Sequence, residues 1–121
     1  MIVNGKDIRF LRTVKINFDI AKVCPGGKIS NIGELFEGED EETYKNMLMF
    51  IQLLNQGYED AKHYEDPSHV PDVISVEEMM FLPFDQMNRL FVEATDAFFG
   101  IKQTVEVEPS KSKKKTKEEL G

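Results

Sequence analysis

His63, Asp66 and His69 fall close together in the chain and are side chains able to hold zinc or another divalent ion, because imidazole and carboxylate both offer lone pairs to such a cation. No cysteine or further histidine completes a ligand set, and the spacing fits no familiar site. Tyr64-Glu65-Asp66-Pro67-Ser68 reads more simply as the polar end of a helix. Cys24 is a nucleophile only as its thiolate, which needs a nearby base or an electropositive setting. No histidine neighbours it, so a structural place at a helix end is expected. Gly26-Gly27-Lys28 lacks the four intervening residues and the Lys-Ser/Thr ending of a phosphate-binding loop. Glu37-Gly38-Glu39-Asp40-Glu41-Glu42 lacks the alternating ligands and the terminal glutamate spacing of a calcium loop, and reads as a solvated helix entrance. Glu77 and Glu78 are adjacent, so on a helix they point about 100° apart and cannot act as an acid/base pair across one substrate. These residues support no enzyme, no cofactor and no metal.

The elements that would carry them can be read from periodicity. Asn4-Gly5 sits between Ile2-Val3 and Lys6-Asp7-Ile8-Arg9-Phe10, the strongest short hairpin signal, since a type I′ turn needs positive φ at both central residues. A two-stranded hairpin is marginal alone, so Val3, Ile8 and Phe10 must lie on helices. Ile16, Ile20 and Val23 are spaced i, i+4, i+7 with Lys15, Asp19 and Lys22 opposite, which predicts an amphipathic helix from Val14 that Pro25-Gly26-Gly27 ends. Ile29, Ile32, Leu35 and Phe36 predict a short second helix closed by Gly38. Tyr44, Met47, Leu48, Ile51, Leu54, Tyr58 and Ala61 predict a long central helix from about Glu41 to about His63, with its early carboxylates favoured by the unpaired amides of the first turn. Asp66 to Pro71 is a two-proline loop. Ser75-Val76-Glu77-Glu78 matches a capping box before a short helix through Met79, Met80 and Phe81. Pro83 interrupts, and a last helix starts near Asp85, with Met87, Leu90, Phe91, Ala94 and Phe98 on one stripe and Gly100 as its stop. The expected fold is mainly α, with a small N-terminal β-hairpin packed on a bundle of about five helices.

Composition bounds the rest. The chain has 121 residues, is 40% hydrophobic and contains nine phenylalanines, enough for one core without metal or disulfide. Residues 1–108 are read as a single globular helical domain and residues 109–121 as a disordered lysine-rich tail, because Ser110 to Lys117 is polar and no apolar residue follows Pro109 before Leu120. One cysteine suits a reducing compartment. No apolar run is long enough to span a membrane and the N-terminus lacks signal-peptide regions, so a cytoplasmic protein without a membrane partner is expected. The net charge of −7 is unevenly distributed. Residues 1–33 carry six Lys or Arg against two Asp or Glu, a net of +4; residues 34–108 carry four against eighteen, a net of −14; the tail carries five against two, a net of +3. So acidic a body repels a phosphate backbone, which argues against nucleic-acid binding by the folded domain.

Met47, Met49, Met79, Met80 and Met87, with Phe81, Phe84, Phe98 and Phe99, exceed what one small core needs. Met79-Met80-Phe81-Leu82 and Phe98-Phe99 cover too much of a helix circumference to be buried together. Met79, Met80, Phe81, Phe98 and Phe99 are therefore the candidate partner-binding residues, methionine being adaptable to varied apolar shapes. A homo-oligomer is one way of covering this surplus.

Ile2-Val3-Asn4-Gly5-Lys6, Ile20-Ala21-Lys22-Val23-Cys24-Pro25-Gly26-Gly27, Gln52-Leu53-Leu54-Asn55-Gln56-Gly57-Tyr58-Glu59, Ser75-Val76-Glu77-Glu78 and the closing aromatic helix follow one another in an order that covers most of residues 1–100. This order resembles the tail assembly chaperones of long-tailed bacteriophages and prophages. The resemblance implies a non-catalytic role in the host bacterial cytoplasm: keeping the helical, aggregation-prone tape measure protein in solution while tail tube subunits polymerise around it. It also implies a second, longer product made by ribosomal slippage near the end of the short reading frame, through which the tail tube protein would be engaged. Lys113-Lys114-Lys115, which an adenine run can encode, is the candidate recoding site. The contending expectation is a generic protein-interaction module, such as a phage structural adaptor or a small regulatory protein.

Overall fold

A computed structural model describes residues 1–100; the remainder of the expected domain, the lysine-rich tail and Lys113, Lys114 and Lys115 lie outside the described residues. The chain opens as a hairpin of β1 (Ile2–Val3) and β2 (Lys6–Asp7), antiparallel, with Ile2 opposite Asp7 and Val3 opposite Lys6. Asn4 and Gly5 take φ of 50° and 83°, the two positive values that the Asn-Gly pair supplies at least steric cost. Alternation then sends Ile2 outward and Val3 into the core, where Ile8 joins it, while Phe10 packs half-buried against that core.

From Arg9 to Thr13 the chain crosses the central helix before entering α1 (Val14–Val23). Thr13 caps α1, its hydroxyl accepting from the Ile16 amide at 3.1 Å. Ile16 and Ile20 are buried, but Val23 is exposed, contrary to the i+7 expectation. The helix ends there: Cys24 has extended geometry (φ −77°, ψ 147°), and it is the Cys24 side chain that turns inward. A turn at Pro25–Gly27, with φ near 70° at both glycines, leads to Ile29–Phe36, which is helical as expected but wound as a 3-10 helix.

α2 (Glu41–Glu65) is the axis of the fold, packed against α1, the 3-10 helix, α3 (Val76–Met80) and α4 (Phe84–Phe99). Asp40 caps α2 through a 2.9 Å bond from the Thr43 amide. That bond, first, and the Thr43 hydroxyl, second, hold the Asp40 carboxyl below its ordinary range. The capping box before α3 is complete: Ser75 Oγ accepts from the Glu78 amide at 3.0 Å, and Glu78 Oε1 accepts from the Ser75 amide at 3.0 Å. Gly100 takes left-handed geometry (φ 73°) and ends α4. The fold is thus mainly α with a two-stranded N-terminal sheet, as the sequence predicts. At its centre Phe36, Phe50, Phe91 and Phe98 pack edge to face, with centroids 4.9 to 5.8 Å apart, the geometry that the ring quadrupole favours.

Among the described residues no helix is long and apolar enough to cross a membrane.

Candidate functional site

α3 has only five residues, and the loop to α4 only a few more, so this part of the chain cannot turn every apolar side chain inward. Met79 is 2% exposed, whereas Met80 is 66%, Phe81 84% and Phe84 58% exposed. Phe81 is the C-cap of α3, where the backbone departs from helical geometry (φ −101°, ψ 5°). Phe84 follows Pro83 at the first position of α4, ahead of the stripe that packs on α2. Its ring meets Tyr44 edge to face at 5.5 Å. Met79, Met80 and Phe84 line an apolar groove between the first turns of α2, α3 and the start of α4, and Phe81 is exposed beside Met80 in the chain without lining it. One part, of about 490 Å³, is lined by Glu41, Tyr44, Lys45, Leu48, Val76 and Met80. It adjoins a smaller part of about 170 Å³ that reaches Met79, Leu82, Phe84 and Met87.

The five contact residues expected from sequence do not form one surface. Met79 and Phe98 belong to the core, a correction with a simple cause: adjacent residues on a helix differ by about 100°, so one of each pair faces inward while its neighbour faces out. Phe98 packs on Phe50, and the Arg12 guanidinium lies 3.8 Å from its ring centroid. Arg12 also donates to the Phe98 carbonyl at 2.9 Å. Met80 lines the groove, and Phe81, next to it in the chain, is exposed without lining it. Phe99 is exposed but sits at the opposite end of α4 from Phe84, about 22 Å along the axis. Tyr44 and Val76 join the groove although periodicity assigns Tyr44 to the core stripe. The available signal for them was position: each stands within the first turns of a helix, where a stripe has not yet met its neighbour.

The groove has acidic surroundings. Glu41 on its lip pairs with Lys45 at 2.8 Å, and this hydrogen bond, first, with the lysine's charge, second, lowers the Glu41 carboxyl and raises Lys45. Glu39, Glu42, Glu77 and Asp85 are exposed on the turns around it. Lys45 is the one cation lining the groove among the described residues.

The residues with chemical potential are engaged elsewhere. His63 Nδ1 lies 2.8 Å from the His69 carbonyl oxygen, His69 Nε2 lies 2.8 Å from Glu59 Oε1, and Asp66 accepts from the Ser68 amide and hydroxyl. The three residues set aside as ligands in the sequence point to different partners, and no group of three His, Cys, Asp or Glu among the described residues could hold a metal. Glu59, which periodicity does not pick out, is a buried carboxylate that also accepts from the Asp72 amide at 3.0 Å. It docks the two-proline loop on α2. Burial pushes the Cys24 thiol up, away from the thiolate that nucleophilic attack requires. Glu78 is held by the capping box and by Lys6, whose ammonium contacts Glu78 at 3.4 Å and Asp72 at 3.3 Å.

Comparison of the chain with protein-family models, with curated proteins and with solved structures gave no match.

Proposed function

We propose that the chain acts without catalysis, as an assembly chaperone for the tails of long-tailed bacteriophages or prophages, working in the host bacterial cytoplasm. Its client is the tape measure protein, held in solution until tail tube subunits enclose it. The observation that carries this reading is the exposed Met80 and Phe84 lining an apolar groove on an acidic body, with Phe81 exposed next to Met80 in the chain. Flexible methionine beside aromatic rings suits apolar helical segments of varied sequence, and the acidic surface opposes aggregation of the complex. A longer product, made by slippage at Lys113-Lys114-Lys115, would extend the chain to recruit the tail tube protein.

The test is co-expression with the tape measure protein encoded beside it. The client should be soluble with this chain and insoluble without it, and the chain should be missing from finished tails. A client that stays insoluble overturns the reading. Exposed Phe99, remote from the groove, favours a second reading, an adaptor or regulatory module that joins two partners. An adaptor would persist in the finished particle.

A further inference from the structure

We infer that the groove between α2, α3 and α4 is covered by the outer face of α1 from a second copy of the chain, giving head-to-tail self-association. An apolar groove needs an apolar ridge, and α1 presents one. Val14 and Phe18 are both exposed and stand at i and i+4, so they lie one above the other on the same face. Leu11, in the segment that leads to the helix, is also exposed. In one copy this ridge has no place in the groove, because no residue of α1 lines it and α1 packs mainly on α2 and the 3-10 segments.

Charge selects the same pairing. The ridge is flanked by Lys15 and Lys22, both largely exposed, which share Asp19 at 2.9 and 3.8 Å. Asp60 of α2 also acts on Lys15, and exposed Arg12 stands with Val14 at the start of the ridge. Three cations thus face two aspartates, and the segment that carries the ridge, residues 1–33, has a net charge of +4. In the groove Lys45 offsets Glu41, and the negative excess comes from Glu42, Glu77 and Asp85, which are exposed and next in the chain to the lining residues Glu41, Val76 and Phe84. Groove against groove would oppose like charges, whereas α1 against groove brings opposite charges together. The chain's own tail is a poorer occupant: its lysines suit the acidic lip, but between Pro109 and Leu120 it has no side chain for an apolar groove. Because the two surfaces are different, the contact is heterologous. Each copy then offers one free ridge and one free groove, so association is open-ended or closes as a ring.

This inference goes beyond the chaperone reading, in which a client would have to displace α1 of the second copy from the same groove, and it is tested without any client. Sedimentation of the purified full chain should show association that grows with concentration. Phe18→Glu spoils the ridge and Met80→Glu spoils the groove; both positions are exposed, and circular dichroism checks that each variant is folded. Each variant alone should associate at least about tenfold more weakly. Mixed together, they should form a one-to-one dimer and stop there, because the pair retains one intact ridge and one intact groove. A wild-type chain that stays monomeric at millimolar concentration overturns the inference. So does undiminished association of either variant, or a mixture that fails to pair. Removal of residues 109–121 should leave association unchanged; a tenfold gain would identify the tail as the occupant and overturn it. An insoluble client beside an intact ridge-and-groove contact would count against the chaperone reading alone.

Discussion

The Leu11 carbonyl oxygen occupies the space that a Cβ on Gly57 would fill, and Ile16 Cγ1 would lie 2.8 Å from that same Cβ. The segment between hairpin and α1 crosses α2 at this point, with the Leu11 amide donating to the Leu54 carbonyl at 3.0 Å. A glycine inside a helix ordinarily costs about 1 kcal/mol relative to alanine. Here the close approach of two backbones requires it. Gly57→Ala is therefore expected to destabilise the fold by about 1 to 3 kcal/mol, although its intrinsic helix propensity is better. Urea unfolding measures this, and a more stable variant would show that the crossing segment can move aside without loss.

Asn55 is a second fixed point on the same helix. Fully buried, it donates to the Arg9 carbonyl at 2.8 Å and accepts from the Ile74 amide at 2.8 Å. One side chain thus joins the N-terminal segment and the loop before α3 to α2. Asn55→Ala leaves a donor and an acceptor without partners, each costing about 1 to 3 kcal/mol when buried. A loss of about 2 to 4 kcal/mol is expected, with amide hydrogen exchange at Ile74 accelerated more than exchange in α4. Equal acceleration everywhere would mean that the loop does not open separately.

These two residues also mark where sequence reading reaches its limit. Asn4-Gly5, Ser75 with Glu78, and Gly100 were legible because each demands its conformation locally, through positive φ or a cap. The buried stripe of α2 was legible because apolar side chains repeat at the helix period. Asn55, Gly57 and Glu59 lie on that helix and are buried with it, yet a pattern built on apolar side chains passes over them. Their roles depend on what crosses α2 from distant parts of the chain. The groove was half legible for a related reason. A surplus of Met and Phe shows that something must remain outside, but the choice of Met80 over Met79 depends on which way α3 meets α2.

The link from hairpin to α3 sets an expectation for pH. In the folded chain Glu78 is lowered from its ordinary value of 4.5, chiefly by the Ser75 amide and then by Lys6, with burial opposing. Burial alone would lower Lys6, but its hydrogen bonds and charge contacts with Asp72 and Glu78 outweigh this and raise it above 10.5. A lowered carboxyl adds stability that is complete above its ordinary range and is lost as pH falls through its folded value; a raised lysine adds stability that is lost as pH rises through its folded value. Their joint contribution is therefore a plateau from about pH 5 to about pH 10 with a loss on either side. Thermal unfolding of Glu78→Gln across this range should show a shallower acid limb than wild type. Ser75→Ala, which removes only the hydroxyl half of the cap, should cost about 1 kcal/mol throughout the plateau. An unchanged acid limb in Glu78→Gln would remove Glu78 from the account of acid stability.

Met79 and Met80 give the sharpest separation of folding from surface chemistry, because neighbours of identical type differ so widely in exposure. Met79→Ala removes a fully buried side chain and is expected to cost about 2 to 5 kcal/mol, the transfer of its methylenes plus the cavity they leave. Met80→Ser removes a side chain that already faces water, so stability should change by no more than about 0.5 kcal/mol. Phe98 and Phe99 repeat the contrast at the other end of α4: Phe98→Ala opens the aromatic cluster and is expected to cost about 3 to 5 kcal/mol, while Phe99→Ser gives up only the edge-to-face contact with Phe98 at 5.0 Å and should cost about 0.5 to 1.5 kcal/mol. If the groove is the working surface, Met80→Ser will lose client solubilisation at full stability and Phe99→Ser will retain it. Loss of solubilisation by Phe99→Ser alone would move the working surface to the far end of α4.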